Sequence, residues 1–95
     1  MSLSTHVLDT ERGRPAAGVR VELYDEAGAL VADGVTDADG RIRELADTAA
    51  GTYRIVFHPP SPFFKRVEFE IKLDEGHHHV PLLISSYSCA SYRGS

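Results

Sequence analysis

Val67-Glu68-Phe69-Glu70-Ile71-Lys72-Leu73 is the stretch whose reading decides the fold. Four apolar side chains alternate with three charged ones. A strand sends successive side chains to opposite faces, so this segment reads as a strand with one face in a core and one in water. The same period of two recurs elsewhere. Val19, Val21 and Leu23 share one face against Arg20, Glu22 and Tyr24, and Tyr53, Ile55 and Phe57 alternate with Arg54, Val56 and His58. Shorter strands are expected over residues 3–10, 29–36, 42–45 and 87–92. Residues 78–85 are more continuously apolar, as a strand covered on both faces would be. Ile42, Leu45, Ala46 and Ala49 also fit a helical stripe. An isolated helix that short is marginal, so the segment reads as a strand followed by a loop.

Turn chemistry falls between these runs. Gly13-Arg14-Pro15, Asp25-Glu26-Ala27-Gly28, Asp37-Ala38-Asp39-Gly40, Pro59-Pro60-Ser61-Pro62 and Asp74-Glu75-Gly76 punctuate the chain. Seven to eight short strands at this spacing predict an all-β fold, a two-sheet antiparallel β-sandwich. Its exposed sheet edges must be charged, twisted or paired, which makes edge pairing with another subunit a physical expectation.

Ninety-five residues fit one domain, 1–95. Lys plus Arg is 10 and Asp plus Glu is 14, a net charge of −4. That excludes a generic basic nucleic-acid binder, whose phosphate contacts need clustered positive charge. The longest apolar runs are a few residues, too short for a membrane-spanning helix. The start, Met1-Ser2-Leu3-Ser4-Thr5-His6, has neither a basic nor an apolar leader segment, so no signal peptide is expected. The single cysteine, Cys89, cannot close an internal disulfide, and a reducing cytoplasmic location is expected.

General motifs are scarce. There is no glycine-rich phosphate loop, no CxxC and no HExxH. Asp37-Ala38-Asp39-Gly40 begins like a calcium loop, but glycine stands fourth rather than sixth and the twelfth position is Thr48, so it reads as a turn. Five histidines are many for this length, and His titrates near neutrality. On a strand His77 and His79 point one way and His78 the other. His77 and His78 read as a solvated strand end. Two same-face histidines make half a metal site, with Cys89 ten residues further on, so no metal is expected. His6 shares a face with Leu8, and Arg41 follows the Asp39-Gly40 turn. Taken singly, each has a bland reading as a surface or structural group. The tail Tyr92-Arg93-Gly94-Ser95 reads as a frayed terminus, yet it carries a guanidinium, a hydroxyl and a terminal carboxylate that could bind a small polar molecule in a cleft.

These residues together resemble a known family. His6-Val7-Leu8-Asp9-Thr10, then Gly13-Arg14-Pro15-Ala16 and Val19-Arg20-Val21, is similar to the N-terminal signature of the transthyretin superfamily. His79-Val80-Pro81-Leu82-Leu83-Ile84-Ser85 with Tyr87-Ser88 resembles its C-terminal signature. Tyr92-Arg93-Gly94-Ser95 resembles the terminal tetrapeptide of the enzymatic branch, the 5-hydroxyisourate hydrolases. The resemblance spans nearly the whole chain in order. It implies a transthyretin-like sandwich and a homotetramer built as a dimer of dimers, with sites in the channel between dimers. It also implies hydrolysis of 5-hydroxyisourate, the product of urate oxidation, to 2-oxo-4-hydroxy-4-carboxy-5-ureidoimidazoline, with no metal or organic cofactor. The family's catalytic groups map onto His6, Arg41 and His79, and its substrate-binding tail onto Tyr92, Arg93, Gly94 and Ser95. Three departures stand out: Ser86 where the family usually has proline, Cys89 where it usually has an aromatic residue, and no room after Phe57-His58 for the family's short helix.

The roles that follow are expectations. A neutral imidazole activates water, His6 being favoured over His79, and the other histidine positions the water or protonates the leaving nitrogen. Arg41 stabilises charge developing on oxygen. Arg93 and Ser95 hold the substrate's polar edge, and Tyr92 forms a packed wall. Two rivals are weighed beside this. One is a non-enzymatic small-ligand carrier on the same fold. The other is an Ig-like accessory or interaction module, which Gly18 to Leu23 and Thr36 to Ile55 also resemble but which leaves His6, His79 and the tail unexplained.

Overall fold

The computed structural model describes residues 1–94. Among these residues ten strands and no helix build two sheets. They are β1 (Ser2–Asp9), β2 (Arg14–Pro15), β3 (Arg20–Asp25), β4 (Leu30–Val35), β5 (Arg41–Asp47), β6 (Gly51–His58), β7 (Val67–Leu73), β8 (His77–His79), β9 (Leu82–Ile84) and β10 (Cys89–Ser91). The four-stranded sheet runs β4-β3-β6-β7 and is antiparallel throughout. The six-stranded sheet is organised around β1, which pairs antiparallel with β2 and β5 and parallel with β8 and β9; β10 closes against β9.

Alternation along β1 decides what each face carries. Leu3, Thr5 and Val7 turn into the core and are almost fully buried. There they meet Val21, Leu23, Ile55, Phe57, Leu82 and Ile84, which lose nearly all contact with water. Full burial of one such side chain stabilises by about 1.5–3 kcal/mol, so this set supplies the main driving force for the fold. Ser2, Ser4, His6 and Leu8 occupy the opposite face of β1. Thr5 is the one polar group of the inward set, and its hydroxyl donates to the Val80 carbonyl at 2.6 Å, which removes the cost of burying it.

The strand expected over residues 78–85 is interrupted. β8 and β9 flank Val80 and Pro81, and both pair with β1 in the same register across the break. Pro81 has no N–H to give a ladder, so the sheet cannot run through it. The gap is spanned by other bonds: Val80 N donates to the Ser4 carbonyl at 3.0 Å and Ser91 Oγ to the Pro81 carbonyl at 2.7 Å. This break and the two-residue β2 account for ten strands where seven to eight were expected. The ambiguous segment after Gly40 is strand, as expected, and runs to Asp47. A second correction concerns His78. It is not part of a solvated strand end; it is 4% exposed, on the core side of the sheet, and its Nε2 donates to the Asp74 carbonyl at 3.0 Å.

No helix follows β6. A loop over residues 59–66 joins it to β7. Ser61 Oγ accepts from the Phe63 and Phe64 amides and donates to the Ser86 carbonyl at 3.0 Å, tying this loop to the turn before β10.

The turn from residue 37 to residue 40 is held by a close backbone approach. Gly40 has φ +73, and a Cβ there would lie 2.5 Å from the Val7 carbonyl oxygen and 2.9 Å from Pro15 Cβ. Gly28 also has positive φ, +91, but nothing stands within 4 Å of its Cβ position. Gly40→Ala is therefore expected to cost more than the ~1–2 kcal/mol of left-handed strain that Gly28→Ala incurs. Urea unfolding of the two variants checks this, with the larger midpoint shift at Gly40.

Candidate functional site

The outer face of the six-stranded sheet gathers the chemistry. His6 and Arg41 are direct cross-strand partners on β1 and β5. Ser2 faces His77 and Ser4 faces His79 on the parallel β1–β8 pair. Partners across a ladder share a face, so Ser2, Ser4, His6, Arg41, His77 and His79 project to one side. β5 bulges opposite Ser4: Leu3 pairs with Ala46, but Thr5 pairs with Ile42. The extra β5 residues let the strand bend away there, a common device for aiming side chains.

The Asp37 turn sets Arg41 and His6 against each other. Asp37 Oδ1 accepts from the amides of Asp39 and Arg41 at 2.9 and 3.0 Å, and Arg43 reaches Oδ2 at 3.2 Å. These donors, the Arg41 amide first, hold the Asp37 carboxyl below its ordinary range. The Gly40 carbonyl accepts from Val7 N at 2.7 Å, which docks the turn on β1. His6 Nε2 lies 2.8 Å from the Asp39 carbonyl. A carbonyl only accepts, so Nε2 carries the proton in this bond, and Nδ1 is the ring's open position when the imidazole is neutral.

His79 is held from its other side. Its Nδ1 is 2.8 Å from Ser4 Oγ, and the same hydroxyl lies 3.0 Å from His77 Nε2. His77 Nδ1 in turn is 2.7 Å from Ser2 Oγ. Gly94 closes over His79 by an antiparallel bridge, its amide donating to the His79 carbonyl at 2.7 Å. A Cβ at Gly94 would meet His79 Cδ2 at 2.7 Å. Partial burial, with the positive fields of Arg41, His6 and His77, pushes the His79 pKa down, burial being the largest cause. His79 is therefore a neutral imidazole at neutral pH, with Nε2 left to work. Among the described residues Arg41 has no carboxylate partner, and its guanidinium is left to face an anion.

A neutral base beside a fixed cation is the arrangement needed to deprotonate water and stabilise the charge it creates on a carbonyl. Among the described residues no cluster of three or more His, Cys, Asp or Glu side chains is placed to hold a metal ion.

The structure thus brings His6, Arg41, His79 and Gly94 together and sets Tyr92 and Arg93 apart. Tyr92 is 57% exposed in the single chain. With Arg93 it lines a separate hollow of about 330 Å³ along β7, which shares no residue with the histidine group. Ser95 lies outside the described residues. The sequence reading gives no role to Ser4 and reads His77 as a solvated strand end. The signal for them was present as the alternation of Ser2, Ser4 and His6 opposite His77 and His79.

Comparison with known proteins agrees with this arrangement. The HIUase/Transthyretin family model matches residues 3–94. The chain is 40% identical to 5-hydroxyisourate hydrolase 2 of Rhizobium meliloti (strain 1021), over 98% of this chain and 95% of that protein. It is 39% identical to the 5-hydroxyisourate hydrolase of Deinococcus radiodurans, with the same coverage. The first of these alignments runs over 114 positions against 95 residues here, so that relative carries stretches this chain lacks. Among solved structures, the 5-hydroxyisourate hydrolase of Klebsiella pneumoniae superposes with a TM-score of 0.90 at 35% identity, covering both chains fully. Sea bream transthyretin in complex with thyroxine gives 0.85 at 29% identity, over 97% of this chain and 93% of that one. With residues 3–94 matched, and its outer sheet face carrying His6, Arg41 and His79, the chain belongs to the HIUase/Transthyretin family.

Proposed function

We propose that this chain hydrolyses 5-hydroxyisourate in urate degradation, opening a cyclic amide to give 2-oxo-4-hydroxy-4-carboxy-5-ureidoimidazoline. The observation that carries the reading is the convergence of His6, Arg41 and His79 on one sheet face, with His79 held neutral. The hydrolases to which the chain is similar support the same substrate. Action as a single domain, homotetrameric assembly with the site between dimers, and a cytoplasmic location belong to the same proposal.

The roles follow from the bonds each group makes. His79 Nε2 takes a proton from the attacking water. Sequence reasoning favoured His6 for this step; the field of Arg41 and burial shift the assignment to His79. Arg41 receives the negative charge that develops on the carbonyl oxygen, its fork matching an oxyanion. His6, its Nε2–H braced by the Asp39 carbonyl, accepts at Nδ1 the second proton of the added water and passes it to the leaving nitrogen. Gly94 fits closely against the His79 ring and keeps it in place. Ser95 and Arg93 are assigned to the substrate's polar edge, and Tyr92 to a flanking wall completed in the assembly.

Urate oxidase generates 5-hydroxyisourate from urate in a cuvette, and the decay of its ultraviolet absorbance is followed with and without the chain. Acceleration over spontaneous decay is expected. No acceleration by the folded protein, together with tight binding of an apolar ligand, would instead make it a carrier.

His6→Ala and His79→Ala are each expected to lower kcat by about 10²- to 10⁴-fold while leaving the circular dichroism spectrum unchanged. Gly94→Ala is expected to lower kcat through displacement of the His79 ring, with the fold retained.

The pH dependence has a defined sign. A base whose pKa is lowered keeps its lone pair at more acid pH, so the acid limb of kcat/KM is expected below the ordinary histidine value of about 6.5. Arg41→Gln removes one of the fields that lowers it. The His79 titration midpoint, read by NMR of the ring protons, should then move up; an unchanged midpoint would contradict the assignment.

A further inference from the structure

One array on this face is not used by the mechanism above. Ser2 Oγ, His77, Ser4 Oγ and His79 Nδ1 form an unbroken chain of hydrogen bonds of 2.7, 3.0 and 2.8 Å. Ser4 is nearly buried, 9% exposed, while His77 is exposed at the far end. The array leads from the interior side of the His79 ring to water. His77 and Ser2 open into a shallow hollow bordered by Arg43, Glu44 and Asp47 of β5.

The hydrolase reading, on which this inference rests, creates a need for such a path. Water adds to the carbonyl carbon and the carbon–nitrogen bond breaks. One water proton ends on the leaving nitrogen, which is part of a urea and does not gain a lasting positive charge. The carboxylic acid product ionises at neutral pH, so one further proton must leave the site in each turnover. Partial burial of His79, with the fields of Arg41, His6 and His77, opposes proton storage there.

We propose that Ser4 and His77 form a proton relay that fixes the working tautomer of His79 and carries the released proton from its Nδ1 to solvent. In the resting state His79 Nδ1–H donates to Ser4 Oγ, Ser4 O–H donates to His77 Nε2, and His77 Nδ1–H donates to Ser2 Oγ. Ser4 and His77 then each have one donor and one acceptor role, and His79 Nε2 holds the lone pair that faces substrate. When Nε2 takes the water proton, Nδ1–H moves to Ser4, the Ser4 proton moves to His77 Nε2, and His77 gives its Nδ1 proton to water. Exchange with solvent returns His77 to its starting tautomer, and, once product has left, proton exchange of the His79 ring with solvent and the array restores its Nδ1–H form with Nε2 free. No oxidant, reductant or further reactant is needed. Ser4 and His77 are positioning and relay residues and touch no substrate. The charged and titratable groups around the array are Arg41, Arg43, Glu44 and Asp47 from β5 and His6 from β1.

The test uses the full chain with His77→Gln, which keeps a hydrogen-bonding side chain but cannot relay, and Ser4→Ala. At low buffer concentration His77→Gln is expected to lose on the order of tenfold in kcat with KM unchanged, and added imidazole buffer should restore it. The wild type should be indifferent to buffer. A purely structural role for His77 would give no rescue, and a buffer-independent kcat in the variant would overturn the relay. A second measurement needs no substrate. Nitrogen-15 shifts of the His79 ring should report the Nδ1–H tautomer in the wild type, and both the tautomer ratio and the titration midpoint should change in Ser4→Ala. Identical shifts in the two proteins would also overturn it. A wild type without turnover would count against the hydrolase reading alone, because the ring-nitrogen result decides the array independently.

Discussion

Strand β1 is the constraint on which the structure depends. It pairs with four other strands, and its strict alternation divides them into two jobs. Leu3, Thr5 and Val7 anchor the core, while Ser2, Ser4 and His6 face outward. A slip of one residue would exchange these sets, burying an imidazole and exposing three core side chains, so core packing itself fixes the register of the site. Two of the partner strands then deliver site groups at determined positions. β5 brings Arg41 to His6, and β8 brings His77 and His79 to Ser2 and Ser4.

The site is built from rigid pieces at its centre and from turns at its rim. The Asp37 carboxylate, the Gly40 close approach and the Asp39 carbonyl make one unit that sets both Arg41 and His6. The break at Val80 and Pro81 serves the same end. It stops the ladder just after His79 without shifting the register, so the imidazole stands at the end of a strand rather than within a covered sheet. Partial burial first, and then the fields of Arg41, His6 and His77, hold the His79 pKa down and keep the ring neutral.

Most of the fold was legible because period-two patterning is a local signal. Val67 to Leu73 reads as a half-buried strand without reference to any neighbour, and so it is. The pairing of His6 with Arg41 and of Ser4 with His79 was not legible from the residues alone. It depends on which distant strands meet, and no local pattern states that. His78 was misread because its neighbours are polar; its burial comes from the strand's other face lying on the core, where the Asp74 carbonyl satisfies it. The interruption at Pro81 was half legible, since proline forbids a ladder bond there but does not say that Thr5 and Ser91 will bridge the gap. Tyr92 and Arg93 join the site only through the resemblance of the terminal tetrapeptide; within the single chain they border a different hollow.

The central claim is that this sheet face, with Arg41 beside a neutral His79, is where a cyclic amide is bound and opened. A crystal structure with a planar urate analogue lacking the scissile bond tests it most directly. The account predicts a carbonyl oxygen of the analogue within hydrogen-bond reach of the Arg41 guanidinium and a ring edge against His79 Nε2. An analogue seated instead in the hollow beside Tyr92 and Arg93, with the histidine face empty, would contradict it.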